Sequence, residues 1–410
     1  MRKILSYLII VVSFFSLSSI TAELHAPKRV FEYGLDFGAG VSNNYFTAAE
    51  FLVEDLVIDL KKINSEMPKD GLTIDYEVDA ENYFSLNLNE SFRLKVFFGL
   101  EGSGYANVSK DLFKLLGEGY KVGTTEKIEV NSYGDLFFNA GFKYRTKVKN
   151  YGIYITPTYY IPLVFMADTH GKVTYSSSLS GKLQANAEIP LTLYSVIDLE
   201  DIENFDQNTI SSKVSEAVKS GGFSVNLGIE RKVTKTLDMG INTQIPIIPG
   251  TMKHKMEARL WGYAIEENLL GKLDETEYHD YDYGTDDPVY SDANYKVHKP
   301  FKLGLEAAWR PFGNWCTIYP SVGLVIRNPY SNDAVSYGEY SLLGEFVLLK
   351  IVGFKIGTSY VNRVFNQSAG FILNLRLVEL DANVSFRGAD FVNSFDKTGA
   401  SVNIGVRVGF

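Results

Sequence analysis

Residues 72–88, LTIDYEVDAENYFSLNL, carry apolar side chains at eight of their nine even positions: Leu72, Ile74, Tyr76, Val78, Ala80, Phe84, Leu86 and Leu88. The odd positions hold Thr73, Asp75, Glu77, Asp79 and Glu81. Successive side chains of a strand point to opposite faces, so this stretch builds one apolar face and one acidic face. After Asn89-Glu90-Ser91 the alternation restarts, with Phe92, Leu94, Val96, Phe98 and Leu100 set against Arg93, Lys95 and Glu101. So short a link predicts an antiparallel hairpin whose polar faces bring acids beside bases.

The same arithmetic recurs along the chain. Leu136, Phe138, Ala140, Phe142 and Tyr144 oppose Asp135, Asn139, Lys143 and Arg145, and Phe301, Leu303, Leu305, Ala307 and Trp309 oppose Lys302, Glu306 and Arg310. Leu373, Leu375 and Leu377 alternate with Asn374 and Arg376, and Leu380, Ala382, Val384 and Phe386 with Asp381, Asn383, Ser385 and Arg387. The final ten residues, SVNIGVRVGF, put Val402, Ile404, Val406, Val408 and Phe410 on one face and Arg407 on the other. The pattern gives about sixteen strands, with fourteen as the alternative. Segments 173–195 and 252–266 are among the sixteen, and Pro190, Pro246 and Pro249 make the count least secure between 173 and 266.

Most of these segments reach the roughly 9–11 residues of a tilted membrane strand, beyond the five or six usual in a soluble sandwich. Links are short at 89–91, 147–150, 311–315, 350 and 378, and long at 106–125, 267–298, 328–337 and 388–399. Short turns on one rim and long loops on the other predict an all-β, closed antiparallel transmembrane β-barrel, which leaves no strand edge unpaired in lipid. Parity then assigns faces. Leu94, Val96, Phe98, Leu303, Leu305, Leu375, Ile404 and Val406 are expected to meet outer-membrane lipid. Asp75, Glu77, Asp79, Glu81, Arg93, Lys95, Arg376, Arg387 and Arg407 are expected to line the lumen. Such charges form either a structural ladder or a patch that sets which solutes pass.

The start of the chain agrees with this destination. Arg2 and Lys3 precede an apolar run from Ile4 to Phe15, followed by small residues up to Ala22, the plan of a secretory signal peptide over 1–22. Its removal takes away two bases and no acid, moving the formal charge from −9 to −11. That balance excludes a nucleic-acid partner, which wants a basic footprint. A single cysteine, Cys316, offers neither an internal disulfide nor a zinc cluster; its parity with Ile318, Val322 and Leu324 turns it toward lipid. Past the signal no stretch is long and apolar enough for a membrane helix, so the mature domain, 23–410, must cross as strands.

Some segments break the alternation. Thr47-Ala48-Ala49-Glu50 is a capping box, and Val53, Leu56, Val57, Leu60, Ile63 and Met67 keep helical spacing up to Pro68 and Gly71. A helix over 47–67 is therefore inserted between the first two strands, packed on the rim or plugging the lumen. Shorter helices are expected at 109–117 and 207–219. The segment 267–298 holds eight acids between Asp274 and Asp292, with tyrosines at 278, 281, 283 and 290, and reads as a long solvated loop. Its spacing misses an EF-hand, so no metal is assigned. Trp309 and Trp315 flank the turn Pro311–Asn314, as girdle aromatics do. The five histidines are scattered and HExxH, GxSxG and phosphate-binding glycine loops are lacking, so no catalytic residue and no cofactor is assigned and the chain is not read as an enzyme.

A terminal strand ending on Phe410 resembles the C-terminal signature of bacterial outer-membrane barrels, which implies recognition by the barrel-assembly machinery. Through GLDFGAGVSNNYFTAAEFLVEDLVIDLKKI at 34–63 and INTQIPIIPGTM at 241–252, the chain also resembles the long-chain fatty-acid transporter-like superfamily. It is most similar there to uncharacterised barrels of spirochaetes and Bacteroidetes. That family carries a hatch ahead of its first strand, for which residues 23–29 are too short. The expected function is an outer-membrane channel or transporter for small polar or hydrophobic solutes, with a structural or surface-interaction barrel as the alternative.

Overall fold

The computed structural model describes residues 29–46, 59–89, 91–119, 121–178, 182–200, 207–266, 279–331, 334–348, 351–388, 391–395 and 399–410. The signal segment 1–22 and the capping box at 47–50 lie outside these residues.

Fourteen strands close into a ring, each hydrogen-bonded antiparallel to the next. In ring order they begin with β1 (Phe31–Asn43), β2 (Leu72–Asn89), β3 (Phe92–Val108), β4 (Thr125–Val148) and β5 (Tyr151–Ser177). Then come β7 (Gly222–Lys232), β8 (Leu237–Ile248), β12 (Phe301–Trp309), β13 (Cys316–Arg327) and β14 (Val335–Leu348). The ring ends with β15 (Val352–Val361), β16 (Val364–Asn374), β17 (Val378–Gly388) and β18 (Gly399–Gly409), which pairs back to β1.

The expected sixteen is thus corrected to the alternative, fourteen. The two segments that leave the ring are β6 (Leu183–Ser195) and β9 (Gly250–Glu266). The cause is a change of partner within β5. Tyr151–Tyr160 pair with β7, whereas the distal part, from Val164 to Ser177, pairs with β6. β6 then pairs with β9, and β9 with β10 (His279–Thr285) and β11 (Val289–Val297). These four strands extend from the wall as an arm. The acidic stretch expected to be a loop supplies two of them: 279–285 and 289–297 are strands, and 267–278 lie outside the described residues.

Directly paired residues of antiparallel strands share a face, so the register carries one parity around the ring. Asp36 pairs with Glu81 and Gly405, Lys95 with Lys143, and Glu345 with Lys355, all on the inner face. The outer face exposes Val96 (50%), Leu305 (51%) and Ile404 (49%), together with Phe98 and Leu303. Leu94 and Val406 are half-buried on that face, and Leu375 is exposed in the β16–β17 turn. Cys316 has outward parity but is buried. A continuous belt of exposed apolar side chains far exceeds what a soluble monomer shows.

The rims differ. Consecutive wall strands turn tightly near Ser91, Lys149, Thr234, Gly313, Ile351 and Arg376, on the rim that also holds both ends of the described ring. Phe31, Tyr33, Phe84 and Phe410 cluster there, as do Phe312 and Trp315. The far rim carries the arm, α1 (Leu60–Glu66), α2 (Lys110–Glu118) and α3 (Gln207–Lys219). Asp59 caps α1 by accepting from the Lys61 and Lys62 amides at 3.1 and 3.0 Å. Ile63 of α1 and Met67 just after it pack on Phe113 of α2, and Asn64 donates to Glu118 at 2.6 Å. Among the described residues, no helix is long and apolar enough to cross a membrane.

Candidate functional site: the lumen

The inner face encloses a cavity of about 1640 Å³ that reaches the short-turn rim at Ile351, Leu377 and Phe410. Ten acids and ten bases line it. They are grouped by strand. At the seam between first and last strands, the Arg407 guanidinium bridges Asp36 (3.2 Å), Glu379 (2.9 Å) and Asp381 (3.4 Å). Arg29 extends the network to Glu32 (3.0 Å) and Glu379 (3.6 Å), and Lys355 joins it at Asp381 (2.5 Å). A planar fork of donors suits Arg407 to this bridging position; lysine offers a single point of charge.

On β3 and β4 the register sets Arg93 opposite Arg145 and Lys95 opposite Lys143. Like charges directly opposed are unfavourable, and neighbours offset them. Lys95 reaches Glu81 at 2.5 Å and lies 4.1 Å over the Tyr83 ring; Arg145 pairs with Glu230, and Lys143 lies 4.1 Å over the Tyr154 ring. Tyr83 and Tyr154 fit flat because Gly34 and Gly228 stand beside them, where a Cβ would meet the rings. Seven strands away, and so diametrically across the ring, β13 to β16 present Tyr319, Leu343, Val347 and Ile372 to the same cavity. The same strands also present Glu345 and Lys355, so these apolar side chains stand among charges and do not form a separate face.

Toward the far rim, side chains close the lumen. Arg387 of β17 reaches Glu77 of β2 at 2.5 Å, with relative exposures of 1% and 2%. The guanidinium spans two intervening strands by lying against Gly40, where a Cβ would overlap it. Beside this pair, Lys299 meets Glu101 at 2.5 Å, and Asn139 donates to the same carboxylate at 3.1 Å. Arg327 lies 5.2 Å over Tyr133 and 5.4 Å over Tyr337, and the Tyr133 hydroxyl donates to Asp135 at 2.7 Å. Only a void of about 30 Å³ remains among Glu77, Glu101, Asp135 and Arg327, room for a water or so. Beyond it Phe137, Tyr160, Phe165, Met252 and Val297 form an apolar core joining wall and arm.

Of the residues expected in the lumen, Asp79, Glu81, Arg93, Lys95, Arg376 and Arg407 line the large cavity. Glu77 and Arg387 lie in the closing layer. Asp75 shares their face but borders neither void. Arg376 sits in the β16–β17 turn with φ 73°, not on a strand. In the expected pairing of the β2 acids with the β3 bases, Glu81 meets Lys95, while Glu77 turns to Arg387. Asp36, Lys143 and Glu306 also line the cavity and have the parity that would have found them. Lys299 has no such signal, because it follows β11 in a connecting segment. None of the described α1 residues lines either void.

The architecture thus defines a closed fourteen-strand barrel with a polar lumen and an apolar outer belt. No protein-family model and no curated protein matches the chain. Among solved structures it is similar to the P. putida toluene transporter TodX, at 9% identity over 94% of this chain and 91% of that one, with a TM-score of 0.45. It is also similar to a Pseudomonas aeruginosa FadL homologue (7%, 93% and 91%, TM-score 0.46) and to the CymD monoaromatic hydrocarbon channel (11%, 94% and 89%, TM-score 0.43). The strand order given above rests on this chain's own hydrogen-bond ladders.

Proposed function

We propose that the chain is a bacterial outer-membrane channel or transporter, with its short-turn rim in the periplasm and its arm outside. The observation that carries this reading is a closed ring with an apolar exterior and a charged, water-accessible interior. A structural barrel needs the first property and has no use for a cavity of about 1640 Å³. The cavity sets charged groups on both sides among apolar side chains such as Leu343 and Ile372, which supports a small solute with polar and apolar parts. Of the nine sequence-derived charges, Asp79, Glu81, Arg93, Lys95, Arg376 and Arg407 act in this reading as its polar lining, and Glu77 with Arg387 as part of the layer that closes it. Lys299 comes from the segment that returns from the arm, so its pair with Glu101 acts as the latch of the closing layer.

Conductance in planar bilayers tests this. The wild type is expected to conduct weakly, and Lys299→Gln with Glu101→Gln to conduct several-fold more. If neither conducts, although both are shown to be inserted, the barrel without transport activity is the correct reading.

A further inference from the structure

The transport reading leaves unused a group of bases on the short-turn rim. The β4–β5 and β7–β8 turns are distant in sequence but adjacent in the ring, since β5 takes β7 as its neighbour; Tyr151 pairs with Arg231. Residues 147–151 read KVKNY and 231–236 read RKVTKT. Five bases, Lys147, Lys149, Arg231, Lys232 and Lys235, therefore share one stretch of rim, all exposed, and neither segment contains an acid. The flanking acids Glu230 and Asp238 are engaged by Arg145 and Arg310. Among the described residues no carboxylate pairs with Lys149, Lys232 or Lys235. Positive charge at this density repels itself unless counter-charge arrives from outside the chain.

The height of the patch points to the source of that counter-charge. The Arg231 guanidinium lies 5.2 Å over the Tyr151 ring, on the outer face that also exposes Ile153 and Ile229. Val148 and Val233 are exposed among the bases. Trp309 pairs with Leu237 immediately beside the second turn. Aromatic rings at the edge of an apolar belt mark the headgroup level of a bilayer, and basic side chains there extend to lipid phosphates. A periplasmic protein would meet bases standing clear of that level.

We propose that these two turns form a binding site for the headgroup of an anionic phospholipid in the periplasmic leaflet. The site rests on the membrane orientation proposed above. Two of the chain's three tryptophans, Trp309 and Trp315, stand on this rim, while Trp261 lies in the arm, so tryptophan fluorescence reports on lipid beside the patch.

The test inserts the full-length barrel into phosphatidylcholine vesicles carrying brominated phosphatidylglycerol or brominated phosphatidylcholine. Protease protection checks insertion. The wild type is expected to favour the brominated phosphatidylglycerol by at least about fivefold, as one or more phosphate contacts would give. Lys149→Gln, Arg231→Gln, Lys232→Gln and Lys235→Gln combined should bring the two lipids to parity, and Lys232→Gln with Lys235→Gln alone should fall between. Equal quenching in the inserted wild type overturns the site and leaves the patch to an acidic periplasmic protein. Failure to insert into either vesicle would count against the membrane reading itself.

Discussion

Arg387 shows what one residue must satisfy inside a barrel. Its guanidinium and the Glu77 carboxylate are both buried, and each supplies counter-charge to the other. Removing one partner of such a pair strands the other charge, and Arg387→Ala is expected to destabilise the barrel by about 3–5 kcal/mol. Replacing both, Arg387→Met with Glu77→Leu, should restore most of that loss. Urea unfolding of vesicle-inserted protein measures both variants. A single variant as stable as the wild type would show that the pair lies in water. Gly40 belongs to the same argument, since any side chain there would push the guanidinium off its partner.

At the scale of the element, the terminal strand separates two roles of Phe410. Its backbone is structural: the carbonyl accepts from the Val30 and Phe31 amides at 2.7 and 3.1 Å, and its amide donates to the Phe31 carbonyl at 3.0 Å. The residue is 75% exposed, and its ring lies beside Phe31, 6.0 Å between centroids. Phe410→Ala is therefore expected to keep the unfolding midpoint of refolded protein while lowering the amount of barrel assembled in cells. Membrane fractionation beside detergent refolding checks it, and a fallen midpoint would make the ring structural. Strands as elements were legible in sequence because one buried and one solvated face impose a two-residue period. Partnership was not. β6 and β9 alternate like wall strands because the arm is itself a two-faced sheet, and the one local mark of the change of neighbour in β5 is Pro162, which has no N–H for the ladder but does not say which strand comes next. The acidic arm strand β10 does alternate, Tyr281 and Tyr283 against Asp280 and Asp282, but over so few residues within a run of acids that the composition of a solvated loop outweighs the period. Cavity residues on strands followed from parity, whereas Lys299 reaches the lumen from a connection and could not.

At the scale of the whole molecule, the balance of ten acids and ten bases predicts weak ion selectivity in the conducting form. Asp79→Asn with Glu81→Gln should move the reversal potential in asymmetric salt toward anions. An unchanged potential would place these carboxylates off the conducting path. The seam has a different consequence, one of timing. Arg407 holds Asp36 across 371 residues of chain, and β1 finds its second neighbour only when β18 exists. Contacts so distant in sequence form late, after the entropy of closing a very long loop has been overcome. Until the last residues are delivered, β1 keeps a bare edge and the apolar belt has no ring to belong to. On the outer-membrane location proposed above, the nascent barrel would cross the periplasm in company, held by something that shields strand edges until β18 arrives to replace it.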